Sequence, residues 1–347
     1  MLILGIETSC DETAAAVVED GRTIRSSVVR TQNLLHEPFR GVVPEIACRA
    51  HLSELLPAVE QALAEARITL DDVDAVAVAH TPGLIGALLI GLTTAKTLAW
   101  LAGKPLIGVN HLEGHIYGAA LGYDGETFPC VSLVVSGGHT SLFWSASAIE
   151  HELLGATTDD AAGEAFDKVA AMLELGYPGG PAIDRVARGG DAKAIDFPRT
   201  LLPAPSLDFS FSGLKTAVLY RCQGQDARTP AALTERQKAD VAASFQEAVV
   251  DVIVQRTMEA AAQRRAERVA IGGGVAANSR LRQRLKEATA AAGVEFVLPP
   301  VALCLDNAAR VAGVGYHYFK AGLIAGLDLD ARARTAVSRA GLRKGEA

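Results

Sequence analysis

Residues 2–20 read LILGIETSCDETAAAVVED, and residues 130–147 read CVSLVVSGGHTSLFWSAS. Each runs an apolar strand into a turn of small and polar residues and out again along a second strand. In the first copy Leu2, Leu4 and Ile6 alternate with Ile3 and Gly5, the period-two pattern of a strand, and Ala15 to Val18 resume it after the turn. A second pair of segments repeats in the same order. DDVDAVAVAHTPGLIGALLIGLTTAKTLA from Asp71 and AERVAIGGGVAANSRLRQRLKEA from Ala266 each pass from strand through a glycine-bearing turn into a helix. The chain therefore reads as two copies of one unit, with extra helical material in the second.

Two such halves facing each other across a central cleft give the α/β plan of the actin, sugar-kinase and Hsp70 superfold. In that plan hairpin turns hold phosphates, and the strand–glycine–helix of the second half holds a nucleoside. The expected organisation is an N-terminal lobe over residues 1–108 and a C-terminal lobe over 109–330, the latter with a helical insertion at about 155–240. A basic tail follows over 331–347, carrying Arg332, Arg334, Arg339, Arg343 and Lys344. Spacing predicts a helix over 45–67 with an apolar stripe of Leu52, Leu55, Leu56, Val59 and Leu63, and a long one over 234–265. Five prolines make 176–213 read as irregular chain.

A length of 347 residues suits two medium domains, each with its own core. The formal net charge of −7 argues against a protein that coats nucleic acid by bulk charge, so an RNA substrate needs a local basic patch or a partner. Five scattered cysteines, none in C-x-x-C, argue against a thiolate zinc cluster and a disulfide framework, and for a reducing cytosol. No basic leader opens the chain. The most membrane-like stretch, 75–101, is interrupted by His80, Pro82, Gly83 and Lys96. A buried strand, turn and helix are expected there and no membrane span, so the protein is expected in the cytoplasm.

His111-Leu112-Glu113-Gly114-His115 sets two imidazoles four residues apart, on one helical face and near enough to share a metal ion. A pair of surface or capping histidines would read the same. Peptidase chemistry needs H-E-x-x-H; Glu113 lies two residues on from the first histidine, roughly 200° round the helix, away from any metal. Asp306, at the end of an apolar run, is a third ligand or a helix N-cap. Two histidines and a carboxylate with open positions suit one iron(II), or zinc(II) instead. Ser136-Gly137-Gly138-His139 is a hairpin turn whose backbone can approach an anion, and Gly272-Gly273-Gly274 follows a strand where a helix opens. Asp159, Asp160, Glu164, Asp167 and Lys168 crowd ten residues: a solvated helix start, with Asp167 also able to bind ribose hydroxyls. Asp11 and Glu12 occupy the first hairpin turn.

GIETSCDET, GVVPEIACRAH, PGLIGALLIG, HLEGH, LVVSGGHTSL, DDAAGEAFDK, YPGGPAID, LDFSFSGLKTA, GGGVAANSRLR and Asp306-Asn307 follow in order from residue 5 to about 310. As a set they resemble the TsaD family of tRNA threonylcarbamoyladenosine transferases. The resemblance implies the actin-like fold and transfer of threonylcarbamoyl from its adenylate to N6 of the adenosine beside the anticodon. It implies a metal held by His111, His115 and Asp306. It implies an adenylate site of Val135, Ser136, Gly137, Gly138, His139, Asp167, Gly180, Asp184 and Asn278. It also implies the partner subunits TsaB and TsaE, with TsaC supplying the adenylate. His139, Asp11, Glu12 and Lys168 are the candidates for proton handling. Arg40, Cys48 and Thr81 depart from the family pattern, as does the C-terminal run of Ala and Arg. Two rivals remain, a small-molecule kinase or ATPase of the same superfold and a non-catalytic scaffold resembling TsaB. The first would favour magnesium held by carboxylates over a histidine pair.

Overall fold

A computed structural model describes residues 1–203, 205–223 and 233–334. Most of the tail expected over 331–347 lies outside the described residues. In chain order the elements begin with β1 (Leu2–Glu7), β2 (Glu12–Glu19), β3 (Thr23–Thr31), α1 (Asn33–His36), α2 (Pro44–Ala66), β4 (Ala75–Thr81), α3 (Ile85–Ala102), β5 (Leu106–Asn110) and α4 (His111–Leu121). There follow β6 (Cys130–Val135), β7 (Thr140–Ser145), β8 (His151–Ala156), α5 (Ala162–Met172), α6 (Gly179–Ala187), α7 (Ser212–Gln223), α8 (Glu235–Arg264), β9 (Arg268–Gly272), α9 (Ser279–Ala292), β10 (Glu295–Val297), α10 (Val301–Cys304) and α11 (Ala308–Lys320).

The repeat seen in the sequence is a repeat of topology. One sheet has the order β3-β2-β1-β4-β5 and the other β8-β7-β6-β9-β10, so each strand has a counterpart five places on. In the first sheet β1 pairs antiparallel with β2 and parallel with β4. In the second, β6 pairs parallel with β9, which pairs parallel with β10. This duplicated α/β arrangement is the actin-like, sugar-kinase fold.

The described residues form two compact units, one within 1–128, 145–152 and 299–334, the other within 129–144 and 153–298. The expected boundary after residue 108 falls inside the first unit, because α4 and α11 pack with each other and α11 lies against β1 and β2. In that unit alternation along β1 serves two cores. Leu4 and Ile6 join Leu55 and Val59 of α2 and Leu88 and Leu92 of α3 on one face. Ile3 joins Ala308, Val311 and Ala312 of α11 on the other. The sheet is thus covered on both sides, which is why AVAVAHT of β4 is buried at every position. α3 is long and apolar enough to cross a membrane by length and composition, and it packs Ala87, Leu88, Gly91, Leu92, Ala95 and Ala99 inward.

Two helical expectations need correction. On α2 the core takes Leu55 and Val59 together with Ala58, Ala62 and Ala66, while Leu52 and Leu56 stay 68 % and 54 % exposed. Alanines carry the buried stripe, and a reading that counted only large residues rotated it. Within 176–213 the chain forms α6, where Gly179-Gly180-Pro181 opens a helix: Pro181 sits in the first turn, a position proline favours. The long helix over 234–265 forms as expected, with Thr234 and Gln237 in a reciprocal capping box.

Candidate metal centre and anion-binding turn

α4 starts directly from the end of β5. Asn110 caps it, its Oδ1 accepting from Leu112 N–H at 2.9 Å, which fixes His111 at the first helical position. His115 follows one turn later on the same face, and the two rings sit edge to face at 4.6 Å. The junction between α10 and α11 delivers Asp306. The capping role open to Asp306 is taken by its neighbour Asn307, whose Oδ1 accepts from Arg310 N–H at 3.1 Å. Asp306 Oδ1 instead lies 3.7 Å from His111 Nε2 and 3.3 Å from His115 Nε2. One donor atom from each of the three lies within 4.8 Å of the others.

The donor set fits a divalent metal. His115 Nε2 is buried and has no hydrogen-bond partner among the described residues; its contact with Asp306 is close but poorly aligned. A buried polar atom left so costs free energy that a metal bond would recover. His111 is turned by Glu7, an acid that sequence reading passed over. Glu7 Oε2 lies 2.8 Å from His111 Nδ1, while its Oε1 accepts from Ser9 N–H at 2.7 Å. A carboxylate behind a histidine ligand fixes its tautomer and leaves the far nitrogen for a metal. The signal was available: Glu7 is the acid that ends an apolar strand at the mouth of the turn.

The charges are mutually supporting. Burial works against ionising Glu7, yet the His111 imidazole and Arg310 hold its pKa below the usual carboxylate range. Asp306 goes well below that range for the same reasons, with His111 and Arg310 overcoming its burial. Burial also opposes charge on His111, but Glu7 and Asp306 outweigh it and raise its pKa. His115 goes well below its ordinary value through burial and the adjacent Arg310. Glu113 lies apart from the triad, as the spacing predicted. It is buried against Tyr318, whose hydroxyl donates to it, and burial pushes its pKa up to about 7.

The turn with Asp11 and Glu12 belongs to the same unit. His51 of α2 braces both its limbs, Nδ1 lying 2.8 Å from Thr13 Oγ1 and Nε2 3.0 Å from the Cys10 carbonyl. Burial and the nearby Asp11 push the Glu12 carboxyl up to about 10.

The residues expected at the adenylate site all belong to the second unit. Ser136 N–H donates to the His139 carbonyl at 2.8 Å and His139 N–H to Ser136 Oγ at 3.2 Å, so the turn's own bonds do not use the amides of Gly137 and Gly138. The N-terminus of α5 abuts this turn. Gly163 N–H donates to the Ser136 carbonyl at 3.2 Å, and a Cβ on Gly163 would meet that oxygen at 2.5 Å. Gly273 adopts φ +93°, with Val135 O 2.2 Å from where its Cβ would stand, so β9 can end close against β6. Around Gly137, Gly138 and Gly180 there is open space. Asp167 accepts from Gly179 N–H at 2.8 Å, and Asp184 from Ser279 Oγ at 2.7 Å.

Two residues are committed elsewhere. Asn278 caps α9, accepting from Leu281 N–H at 3.0 Å, and donates to Gln246 Oε1 at 2.7 Å, so its amide shapes the glycine turn from below. Lys168 pairs with Glu164 at 2.6 Å and Asp160 at 3.0 Å, which raises its pKa, Glu164 being the larger influence. Asp160 also binds Lys215 at 2.6 Å, and Asp159 accepts from Ser210, Ser212 and Phe211 N–H. These first acids are anchors for residues 210–215, not a merely solvated helix start.

The model of the family described as tRNA N6-adenosine threonylcarbamoyltransferase matches residues 23–313. The chain is 53 % identical over 330 residues to the protein of that name from Symbiobacterium thermophilum, covering 95 % of both. It is 52 % identical over 333 residues to the one from Anaeromyxobacter dehalogenans, covering 95 % and 97 %. Among solved structures it is similar to T. kodakarensis HypF (TM-score 0.61, 15 % identity, 92 % of this chain and 48 % of that one). It is also similar to component A of the (R)-2-hydroxyglutaryl-CoA dehydratase of Acidaminococcus fermentans (TM-score 0.52, 18 % identity, 93 % and 99 %). At these identities the two structures speak to fold alone. The two curated relatives and the family model agree over nearly the whole chain, and the protein belongs to the tRNA N6-adenosine threonylcarbamoyltransferase family.

Proposed function

We propose that this chain, a transferase forming threonylcarbamoyladenosine in tRNA, takes the group from threonylcarbamoyl-adenylate and delivers it to the adenosine beside the anticodon, in tRNAs that read codons beginning with A. The observation that supports this most is the cluster of two buried histidines, His111 and His115, with the part-exposed Asp306, and Glu7 behind His111, in a chain of this family. A phosphoryl-transfer site favours carboxylates and water around magnesium, and a scaffold has no use for a buried imidazole nitrogen left without a hydrogen bond.

In the reaction N6 of adenosine attacks the carbamoyl carbon, the bond from that carbon to the phosphate oxygen breaks, AMP leaves, and N6 gives up a proton. His111, His115 and Asp306 would hold one iron(II), or zinc(II), and a metal there would supply Lewis acidity toward donor oxygens. Glu7 keeps the His111 ring oriented. In the second unit the Gly137 and Gly138 amides would receive the phosphate, helped by the positive end of α5. Val135, Gly180, Asp167 and Asp184 would line the nucleoside end, with Asn278 shaping it. Of the four proton-handling candidates, Lys168 is held charged by its two carboxylates. His139 and the Asp11–Glu12 pair are therefore the acceptors we favour. Partner subunits TsaB and TsaE would complete the system, with TsaC making the adenylate. Exposed Leu52 and Leu56 on α2 and Ile85 and Leu89 on α3 offer apolar surface for one of them.

Metal analysis tests the site directly. His111→Ala should fold, lose bound metal and lose transfer together. Stoichiometric metal in that variant would exclude His111 as a ligand.

A further inference from the structure

Among the described residues Arg310 is one of the largest side chains with no exposed surface, and it is charged. It projects from the first turn of α11 into the space behind the three proposed ligands. Its NH2 donates to Asp306 Oδ1 at 2.8 Å and lies 3.6 Å from Glu7 Oε2. Its NH1 contacts His115 Nδ1. A guanidinium has donors only, so in this contact Nδ1 is the acceptor, and the ring's single proton sits on Nε2, the atom that faces Asp306. The same cation thus ties together two carboxylates and one imidazole of a single pocket.

Arg310 offsets one of the two carboxylate charges of the metal-free pocket, and without it the pocket is more negative by one unit. Buried like charges repel strongly at a low effective dielectric. A divalent ion arriving beside Arg310 meets a fixed positive charge, and ligation through His115 Nε2 requires the ring proton to move to Nδ1, which must then release Arg310. We propose that Arg310 is a positioning residue that serves as an internal cation. It holds Asp306, Glu7 and His115 assembled when no metal is bound, and it weakens the metal's hold so that the ion exchanges without unfolding the pocket. The inference rests on the metal reading above and deepens it.

The test compares wild type, Arg310→Met and Arg310→Lys as full-length chains stripped of metal. Thermal midpoints are followed by circular dichroism, and zinc(II) affinity is measured by competition with a chromophoric chelator. Arg310→Met should lower the metal-free midpoint. It should bind zinc(II) tighter by on the order of tenfold or more, since a like charge has been removed, and saturating zinc(II) should narrow its gap to wild type. Arg310→Lys, which keeps the charge and loses the fork, should keep near wild-type affinity while its metal-free midpoint lies between the other two. An unchanged metal-free midpoint, or a folded Arg310→Met whose zinc(II) affinity is equal or weaker, overturns the proposal. If Arg310→Met folds only with zinc(II), the proposal stands; if it folds under neither condition, the Arg310→Lys affinity decides. Wild type that takes up no zinc(II), iron(II) or manganese(II) sinks the metal reading instead, while a lowered metal-free midpoint in Arg310→Met would still support the tether.

Discussion

Glu7→Gln isolates the orientation of a proposed ligand from its identity. The glutamate has no exposed surface, and its Oε2 sits 2.8 Å from His111 Nδ1. Glutamine keeps the shape, and its carbonyl oxygen can still accept from either His111 or Ser9 N–H, so the loss is mainly of charge. Hydrogen bonds to charged groups contribute about 1.5–3 kcal/mol, and carboxylates behind histidine ligands change metal affinity by about 10–100-fold. Because one bond survives, the expected loss is near the lower end, about tenfold or ~1.4 kcal/mol. The assay is titration of the metal-free protein with zinc(II) against a chelator of known affinity, with circular dichroism as the check on folding. A folded Glu7→Gln protein with wild-type affinity would refute the reasoning: the orientation of His111 would then owe nothing to the carboxylate.

Three further outcomes are expected. Gly137→Val places a branched side chain in the open space over the turn, and should abolish binding of a non-hydrolysable adenylate analogue with the fold intact; calorimetry showing unchanged affinity would reduce the turn to a plain hairpin. Leu55→Ala should cost about 2–5 kcal/mol in urea unfolding while its exposed neighbour Leu56→Ala stays within about 0.5 kcal/mol; equal costs would mean the burial pattern of α2 is wrong. Burial brings the pKa of His151 down to about 4 from an ordinary 6.5. The folded state therefore binds fewer protons than the unfolded one between those values, and stability from this group, complete above pH 6.5, is lost as pH falls toward 4, by on the order of 3 kcal/mol. His151→Gln should flatten that acid-side slope, and an unaltered slope would contradict the assignment.

Much of this was legible because it depends on local pattern. Two apolar strands flanking a polar turn, twice over, carried the duplicated topology, since a buried sheet demands alternation or continuous apolar runs that survive in one dimension. The histidine pair was legible because helical periodicity alone puts residues four apart on one face. What the sequence hid depends on distance in space. Glu7 and Arg310 are separated from His111 by 104 and 199 positions, and only the packing of α11 and α4 beside the end of β1 brings them together. Asn278 and Lys168 carried suggestive identities, but their partners Gln246 and Asp160 show them building the turn and the helix start. The stripe of α2 differs from the spacing of its large residues for a simpler reason: alanine is a core residue where a helix lies close on a sheet, and the exposed leucines beside it are larger without being more buried.

The central claim is that this chain joins threonylcarbamoyl to tRNA adenosine through a site that depends on His111, His115 and Asp306. Its most direct test is mass spectrometry of nucleosides from unmodified tRNA incubated with threonylcarbamoyl-adenylate, partner subunits and either wild type or Asp306→Asn protein of verified fold. Threonylcarbamoyladenosine should accumulate with wild type and stay at the level of the enzyme-free control with Asp306→Asn. Equal accumulation with both proteins would contradict the account.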